Sequence, residues 1–529
     1  MRFLPAFAAV AVAFTHSAAA QAGAAAPAPP AAGPAAPAPT AGASGTADAY
    51  VPAAPVWAAC SGVALRELEC AEVEVPLDHA EPEGRKIKIA VSRKKATAPA
   101  GEYRGILLTN PGGPGASGLD APNTWFRGKG AEAVAGYDII GFAPRGVAPS
   151  KPALSCDRNY ERSPEPDPVP SGAAALKTLW KRASGYAAAC GKRFGWLLPY
   201  LDTASTARDM DAIRAALKQP KLSYMGISYG TYLGAVYGTL FPDRVNRMVL
   251  DSVVRPSGVW YQANFDQNAA MEGRIHDFFQ WTAKHHGTFR LGRTAAAVRA
   301  KYAVVRARLK ASPVEKAIGA KELDDILMKT SYTHSVWSLV AESLSAKYLR
   351  NENNALAMAF FMSSIGKFGE NGQSDNGIAM YLAVECADTR WPRDWATWRK
   401  DTLRSLRRAP IATWSNTWMN APCAFWPASA RNGNPVRIKG DGLKSALLVQ
   451  STKDGPTPYA GAVETLRLIP AARLVLEDGG GEHGVSYTGN ACVDAHVTAY
   501  LRDGTLPAAK VTRCAARSAP RPDSPGLGR

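Results

Sequence analysis

After its N-terminal stretch the sequence has no apolar run near the roughly 20 residues that cross a bilayer, which excludes a mature chain held by a spanning helix. It has no C-x-x-C, no H-E-x-x-H and no Cys/His cluster at ligand spacing, so the usual zinc sites are absent, and nothing calls for another metal or cofactor. No nucleic-acid motif and no internal repeat are present, so neither a nucleic-acid partner nor a repeat array is expected. No Cys directly follows the first apolar stretch, so a lipid-anchored N-terminus is not indicated.

What remains is the make-up of a water-soluble globular chain of 529 residues, 46% hydrophobic and 20% charged. Residues 1–20 carry one positive charge at Arg2, an apolar run from Phe3 to Phe14, and Ala18-Ala19-Ala20, the pattern of a cleaved secretory signal. Residues 21–56 are dominated by Ala and Pro and cannot bury enough surface to offset their ordering entropy, so a disordered leader or pro-segment is expected. Export turns the eight cysteines into disulfides, and short loops favour pairing neighbours along the chain: Cys60 with Cys70, Cys156 with Cys190, Cys386 with Cys423, Cys492 with Cys514. Other connectivities remain open at this point. Lys and Arg number 62 against 45 Asp and Glu, a net +17, but they are scattered, as on a solvated basic surface.

Residues 71–79 and 86–94 alternate with period two, as a hairpin with one wet face does. Short apolar runs follow at 105–110 (GILLTN), 137–142 (YDIIGF), 222–227 (LSYMGI) and 247–253 (RMVLDSV), which fit strands buried on both faces of a parallel sheet. Between them, 203–218 places Ala207, Met210, Ile213, Ala216 and Leu217 on one helical face. Residues 256–436 are helix-like without convincing strands; strand signals return at 445–451 and 472–478, and 493–504 reads as a closing helix. The layout is an α/β-hydrolase fold, a mostly parallel central sheet flanked by helices, with a large helical cap inserted before the last two strands. The core then spans 57–255 and 437–516, and 517–529 form a disordered tail.

Within this layout Gly226-Ile227-Ser228-Tyr229-Gly230 lies at a strand end and opens a helix, the context of a nucleophile elbow. A serine hydroxyl needs a base to take its proton and an acid to orient the base, in the chain order Ser, Asp or Glu, His. Of eight histidines, His16 lies in the signal and His79 precedes the serine. His276, His285, His286 and His334 lie in the insertion and His496 in the closing helix, leaving His483 in DGGGEHGVSY after the last strand. The acid should follow the preceding strand, where Asp454 stands in STKDGPTPY; Asp251 is the fallback and Asp478 a third choice. Oxyanion donors are expected from the backbone N–H of Tyr229 and of Gly113 in NPGGPGASG. Residues 113–118 also match G-x-G-x-x-G, but Pro114 removes a phosphate-binding N–H and Asp138 opens the next strand instead of closing it, so the match is incidental.

With these residues in place the chain resembles, over roughly 57–516, the secreted tripeptidyl aminopeptidase and proline iminopeptidase branch of the α/β-hydrolases. The carriers are NPGGPGASG, YDIIGFAPRGVAPS, GISYGTYLGAVYGTLFPDRVNRMVLDSVV, PCAFWP, DGPTPYAGA, GGGEHG and CVDAHVTAYLRDGTLPAAKVTRC. The resemblance implies a triad of Ser228, Asp454 and His483, a Cys492–Cys514 disulfide, and removal of residues from the free N-terminus of peptides beneath a cap. The family pattern D-P-R-G-x-G-x-S is Ala143-Pro144-Arg145-Gly146-Val147-Ala148-Pro149-Ser150 here, which changes no triad member. An exopeptidase also needs a carboxylate for the substrate ammonium, since a buried unpaired charge is costly. Glu385 is the first candidate, with Asp388 and Glu482 behind it. The expectation is an exported serine exopeptidase acting on peptide substrates; a carboxylesterase or lipase with the same triad, or an exported binding protein that has lost catalysis, are the alternatives.

Overall fold

The computed structural model describes residues 50–314, 316–345, 374–430, 433 and 435–522. The expected signal, most of the expected leader and residues 523–529 lie outside them. The chain enters the sheet through a two-residue strand, β1 (Ala58–Ala59), and an antiparallel hairpin of β2 (Glu69–Pro76) and β3 (Lys86–Lys94). Val73, Val75, Ile87 and Ile89 are buried while Glu72, Glu74 and Lys88 are exposed, because successive strand side chains point to opposite faces. Next come β4 (Ile106–Asn110), β5 (Asp138–Phe142), β6 (Leu222–Ile227), β7 (Val245–Asp251), β8 (Ala446–Ser451), β9 (Ala472–Asp478) and β10 (Val511–Ala515). The sheet order is β1-β2-β3-β5-β4-β6-β7-β8-β9-β10, antiparallel from β1 to β5 and parallel beyond. Three strands follow the insertion, where two were expected; the polar, short edge strand β10 escapes the sequence pattern.

Burial on both faces accounts for the continuous apolar runs. Leu108, Ile140, Tyr224, Leu250 and Leu448 pack on one side against Met210, Ile213, Leu233 and Val236 of the helices Thr203–Ala216 and Tyr229–Leu240. Leu107, Ile139, Met225, Val249 and Leu447 pack on the other against Val493, Val497 and Leu501 of the helix Ala491–Asp503. Each such side chain contributes about 1.5–3 kcal/mol of burial free energy. The helix at 203 begins where Asp202 accepts the Ser205 N–H at 2.6 Å and ends at Ala216, two residues short of the expected end, where Lys218 turns to φ 53°.

Between β7 and β8 the described residues are helical and contain no strand. Helices Tyr261–Lys284, Ala295–Ala311, Ala320–Lys329 and Trp337–Leu344 share a core of their own that includes Phe278, Phe279, Tyr302, Leu323 and Trp337. Helix Ser374–Asp388 is different: Ala379, Leu382, Ala383, Val384 and Cys386 are all buried in the main core, so it shows no amphipathic period. The four disulfides join neighbouring cysteines along the chain, Cys60–Cys70, Cys156–Cys190, Cys386–Cys423 and Cys492–Cys514. Among the described residues no helix is long and apolar enough to cross a membrane. Residues 517–522, expected in a disordered tail, return to the insertion: the carbonyl of Pro520 accepts the Trp281 indole N–H at 3.0 Å.

Candidate active site

At the end of β6 the chain turns so sharply that Ser228 adopts φ 59° and ψ −127°, a region that residues with a side chain rarely enter. The glycines of the pentapeptide make this possible. A Cβ on Gly226 would lie 2.4 Å from the carbonyl oxygen of Gly230, and one on Gly230 would lie 2.6 Å from that of Asn110. The helix Tyr229–Leu240 starts directly after the serine, which leaves the Tyr229 N–H among the first-turn donors that have no intrahelical partner.

Asp454 and His483 come from the loops after β8 and β9 and meet each other. His483 Nδ1 lies 3.1 and 3.2 Å from the two oxygens of Asp454, which is itself buried. Thr457, three residues on, steadies the carboxylate: its N–H donates to Oδ1 and its Oγ1 to Oδ2, both at 2.9 Å. Sequence reasoning missed Thr457; its one signal is the D-G-P-T turn, in which the aspartate accepts from the N–H three residues later. The loop carrying His483 abuts the elbow, since a Cβ on Gly484 would lie 3.5 Å from Ile227 Cγ2.

Asp251 ties both pieces to the end of β7. Its carbonyl accepts the Ser228 N–H at 3.0 Å, and its carboxylate accepts the N–H groups of Val485 and Ser486 at 2.9 and 2.7 Å. Burial pushes its carboxyl above the ordinary aspartate range despite these bonds. Asp251, the fallback choice, also accepts the Ser252 hydroxyl at 3.2 Å and is bonded to the loop that carries His483, with no hydrogen bond to His483 itself. Asp478, the third choice, is an exposed partner of Arg513 at 2.8 Å.

The loop after β4 lies against the elbow. Gly112 takes φ 94°, and a Cβ there would sit 2.5 Å from the Ile227 carbonyl and 3.0 Å from Ser228 Cβ, so the backbone approaches as closely as glycine allows. Its N–H donates to Asn110 Oδ1 at 2.9 Å and is spoken for. Gly113, Ser228 and Tyr229 together line a cavity of about 760 Å³ whose other walls come from the insertion and from core segments on both sides of it, among them Tyr160, Arg182 and Pro456 to Pro458. At Ala143, where the family pattern has aspartate, the backbone is held at both ends: N–H to Ala90 at 3.0 Å, carbonyl from Ser150 Oγ at 2.7 Å. Arg145 beside it is buried and pairs with Asp209 at 2.6 Å.

Only one of the three expected ammonium-binding carboxylates lines this cavity. Glu385 does, nearly fully buried, with Asn264 Nδ2 at 3.2 Å from Oε2. Burial drives its carboxyl up to about 8, opposed by hydrogen bonds from Asn264 and Tyr381. Asp388 is consumed elsewhere: Oδ1 accepts the Thr203 N–H at 2.8 Å, and Oδ2 accepts Thr203 Oγ1 at 2.6 Å and the Trp260 indole at 2.9 Å. Glu482 turns away from the cavity to Thr333 and His334, with contacts of 2.7 to 2.9 Å. Neither Asp388 nor Glu482 lines the cavity, and the oxygens of both are bonded within the protein.

A largely parallel sheet with a serine elbow after one strand, Asp454 and His483 paired on loops after the strands behind an insertion, and a glycine loop beside the elbow define an α/β-hydrolase. The family profile described as TAP-like protein matches residues 409–514. The tripeptidyl aminopeptidase of Streptomyces lividans is 43% identical over 463 residues, 86% of this chain and 85% of that protein. Serine protease Hip1 of Mycobacterium tuberculosis is 30% identical over 460 residues, 83% and 86% of the two chains. Carboxylesterase B of the same species is 30% identical over 470 residues, 85% and 87%. The chain belongs to the tripeptidyl aminopeptidase family of α/β-hydrolases.

Proposed function

We propose that this chain is an exported serine exopeptidase that cleaves peptides near their free N-terminus through an acyl-enzyme. Ser228 Oγ attacks the scissile carbonyl while His483 Nε2 takes its proton; Asp454, bonded to Nδ1, fixes the tautomer and stabilises the imidazolium. The N–H groups of Tyr229 and Gly113 receive the developing oxyanion. His483 then returns the proton to the leaving amine, and water, activated by the same base, releases the N-terminal fragment. The helical residues of 256–436 act as a cap that admits a chain end. The observation that carries this reading is the buried carboxylate of Glu385 in the same cavity as Ser228, without a cationic partner among the described residues: an arriving ammonium supplies a countercharge. The four disulfides and the signal-like N-terminus support export.

The test compares the purified protein with its Ser228→Ala and Glu385→Gln variants on a free-amine tripeptide with a chromogenic leaving group, its N-acetylated twin and a short-chain ester of that group. Turnover of the free-amine peptide should dominate and vanish in Ser228→Ala. Glu385→Gln should raise KM for the free-amine peptide about tenfold or more and spare the ester; equal loss on both would remove Glu385 from ammonium binding. Preference for the ester would move the assignment to carboxylesterase.

A further inference from the structure

Glu482 precedes His483, and its carboxylate reaches across to the insertion. Oε2 accepts Thr333 Oγ1 at 2.7 Å; Oε1 accepts the His334 N–H at 2.8 Å and lies 2.9 Å from His334 Nδ1. Burial would raise this carboxyl, but the hydrogen bonds and charge of His334 outweigh it and bring it down to about 2, so Glu482 is ionised at working pH. The residue before this pair, Tyr332, touches His483 twice: its carbonyl accepts the His483 N–H at 2.8 Å, and its ring stands edge-on to the imidazole at 5.3 Å and 84°. Behind the loop, Arg274 lies between the Trp337 ring, 4.9 Å away, and Gly481, where a Cβ would come within 2.2 Å of the guanidinium. Arg517 approaches Glu482 from the C-terminal side at 3.8 Å. The base is therefore held on its backbone and on its ring face by one three-residue segment, and that segment is held by the carboxylate next to the base.

We propose that Glu482 and Tyr332 form a clamp through which the helical insertion sets the position of the His483 imidazole. Glu482 is a positioning residue: it fixes Thr333 and His334, which places the Tyr332 carbonyl and ring against His483. The inference rests on His483 being the general base. Its consequence is that the insertion, beyond shaping the cavity, has a direct hold on the proton-transfer geometry, where a displacement of about 1 Å costs on the order of a hundredfold in rate.

The experiment measures kcat and KM of Glu482→Gln, Glu482→Ala, Tyr332→Leu and the Glu482→Ala/Tyr332→Leu pair on the free-amine tripeptide substrate, with active enzyme counted by a serine-reactive fluorophosphonate. The Gln variant keeps one acceptor and should lose about tenfold in kcat; Ala should lose about a hundredfold, both with KM within about twofold, since Glu482 touches no substrate. Because both residues act through one imidazole, the double variant should lose much less than the product of the single losses. Losses that multiply, or a Glu482→Ala variant with unchanged kcat and merely lower thermal stability, would overturn the clamp. His483→Ala is the control on the underlying reading: if it stays active, the base assignment fails, whatever the clamp variants do.

Discussion

Glu385 carries the sharpest consequence at the scale of one residue. Its carboxyl sits at about 8 in the folded protein against an ordinary 4.5, because burial strips its water and no cation among the described residues replaces it. Below about pH 4.5 it is protonated in folded and unfolded chains alike and contributes nothing. Between that pH and about 8 the unfolded chain ionises while the folded one keeps its proton, so this residue lowers stability progressively as pH rises. Glu385→Gln should therefore gain on the parent as pH climbs through that window, read as the difference between their denaturant midpoints; a constant difference would contradict it. The same proton should appear in kinetics, with kcat/KM for the free-amine peptide rising to near pH 8 and that limb missing for the ester. Nothing local in AVECADTRW separates Glu385 from Asp388; they differ only in what tertiary packing brings to each. Ser228, by contrast, was legible, because an elbow imposes glycines at fixed offsets and strand and helix patterns on either side. His483 was singled out by elimination and Asp454 by chain order, and the structure puts their side chains in contact. Tyr332 was not, since a contact spanning about 150 positions of chain leaves no periodic trace.

Among the elements, the parallel strands β4 to β9 were readable because burial on both faces forces continuous apolar runs. The edge strands β1 and β10 were not: two residues carry no period, and VTRCA looks polar because one side faces water. Helix Ser374–Asp388 lacks a moment for the opposite reason, burial on nearly every side. The end of β7 shows how elements place chemistry. Asp251 binds the elbow through its carbonyl and the loop that carries His483 through its carboxylate, so it ties the two to one strand end. Asp251→Asn keeps one acceptor and turns an amide toward buried N–H groups, at about 1–3 kcal/mol for each donor left unpaired. Its kcat should fall about 10- to 100-fold. Asp454→Asn should lose about 10⁴-fold, the size of a tautomer defect. A larger loss in Asp251→Asn than in Asp454→Asn would put the acid at Asp251.

For the whole molecule, the question is what the four bridges contribute and where in the cell they can form. They close loops with separations of 10, 34, 37 and 22 residues, each constraining the unfolded chain by about 3–4 kcal/mol. Together that is comparable to the entire stability of a typical domain, roughly 5–15 kcal/mol, so the reduced chain should not hold its fold. The bridges are not equally open to attack. Cys60 and Cys70 are half-buried and Cys492 is exposed, whereas Cys156, Cys190, Cys386 and Cys423 are buried in the core. Thiol exchange requires access to a sulfur, so a mild reductant should open Cys60–Cys70 and Cys492–Cys514 in the folded enzyme and leave the other two intact. Cys386–Cys423 fastens the helix that carries Glu385, which links its survival to the cavity. A time course of thiol alkylation read by mass spectrometry, with peptide turnover followed in parallel, should show activity retained while the first four thiols appear. Activity should then fall in step with the last four as the fold opens. Loss of turnover with the first four would mean that the outer bridges, and not the two buried ones, hold the active geometry in place.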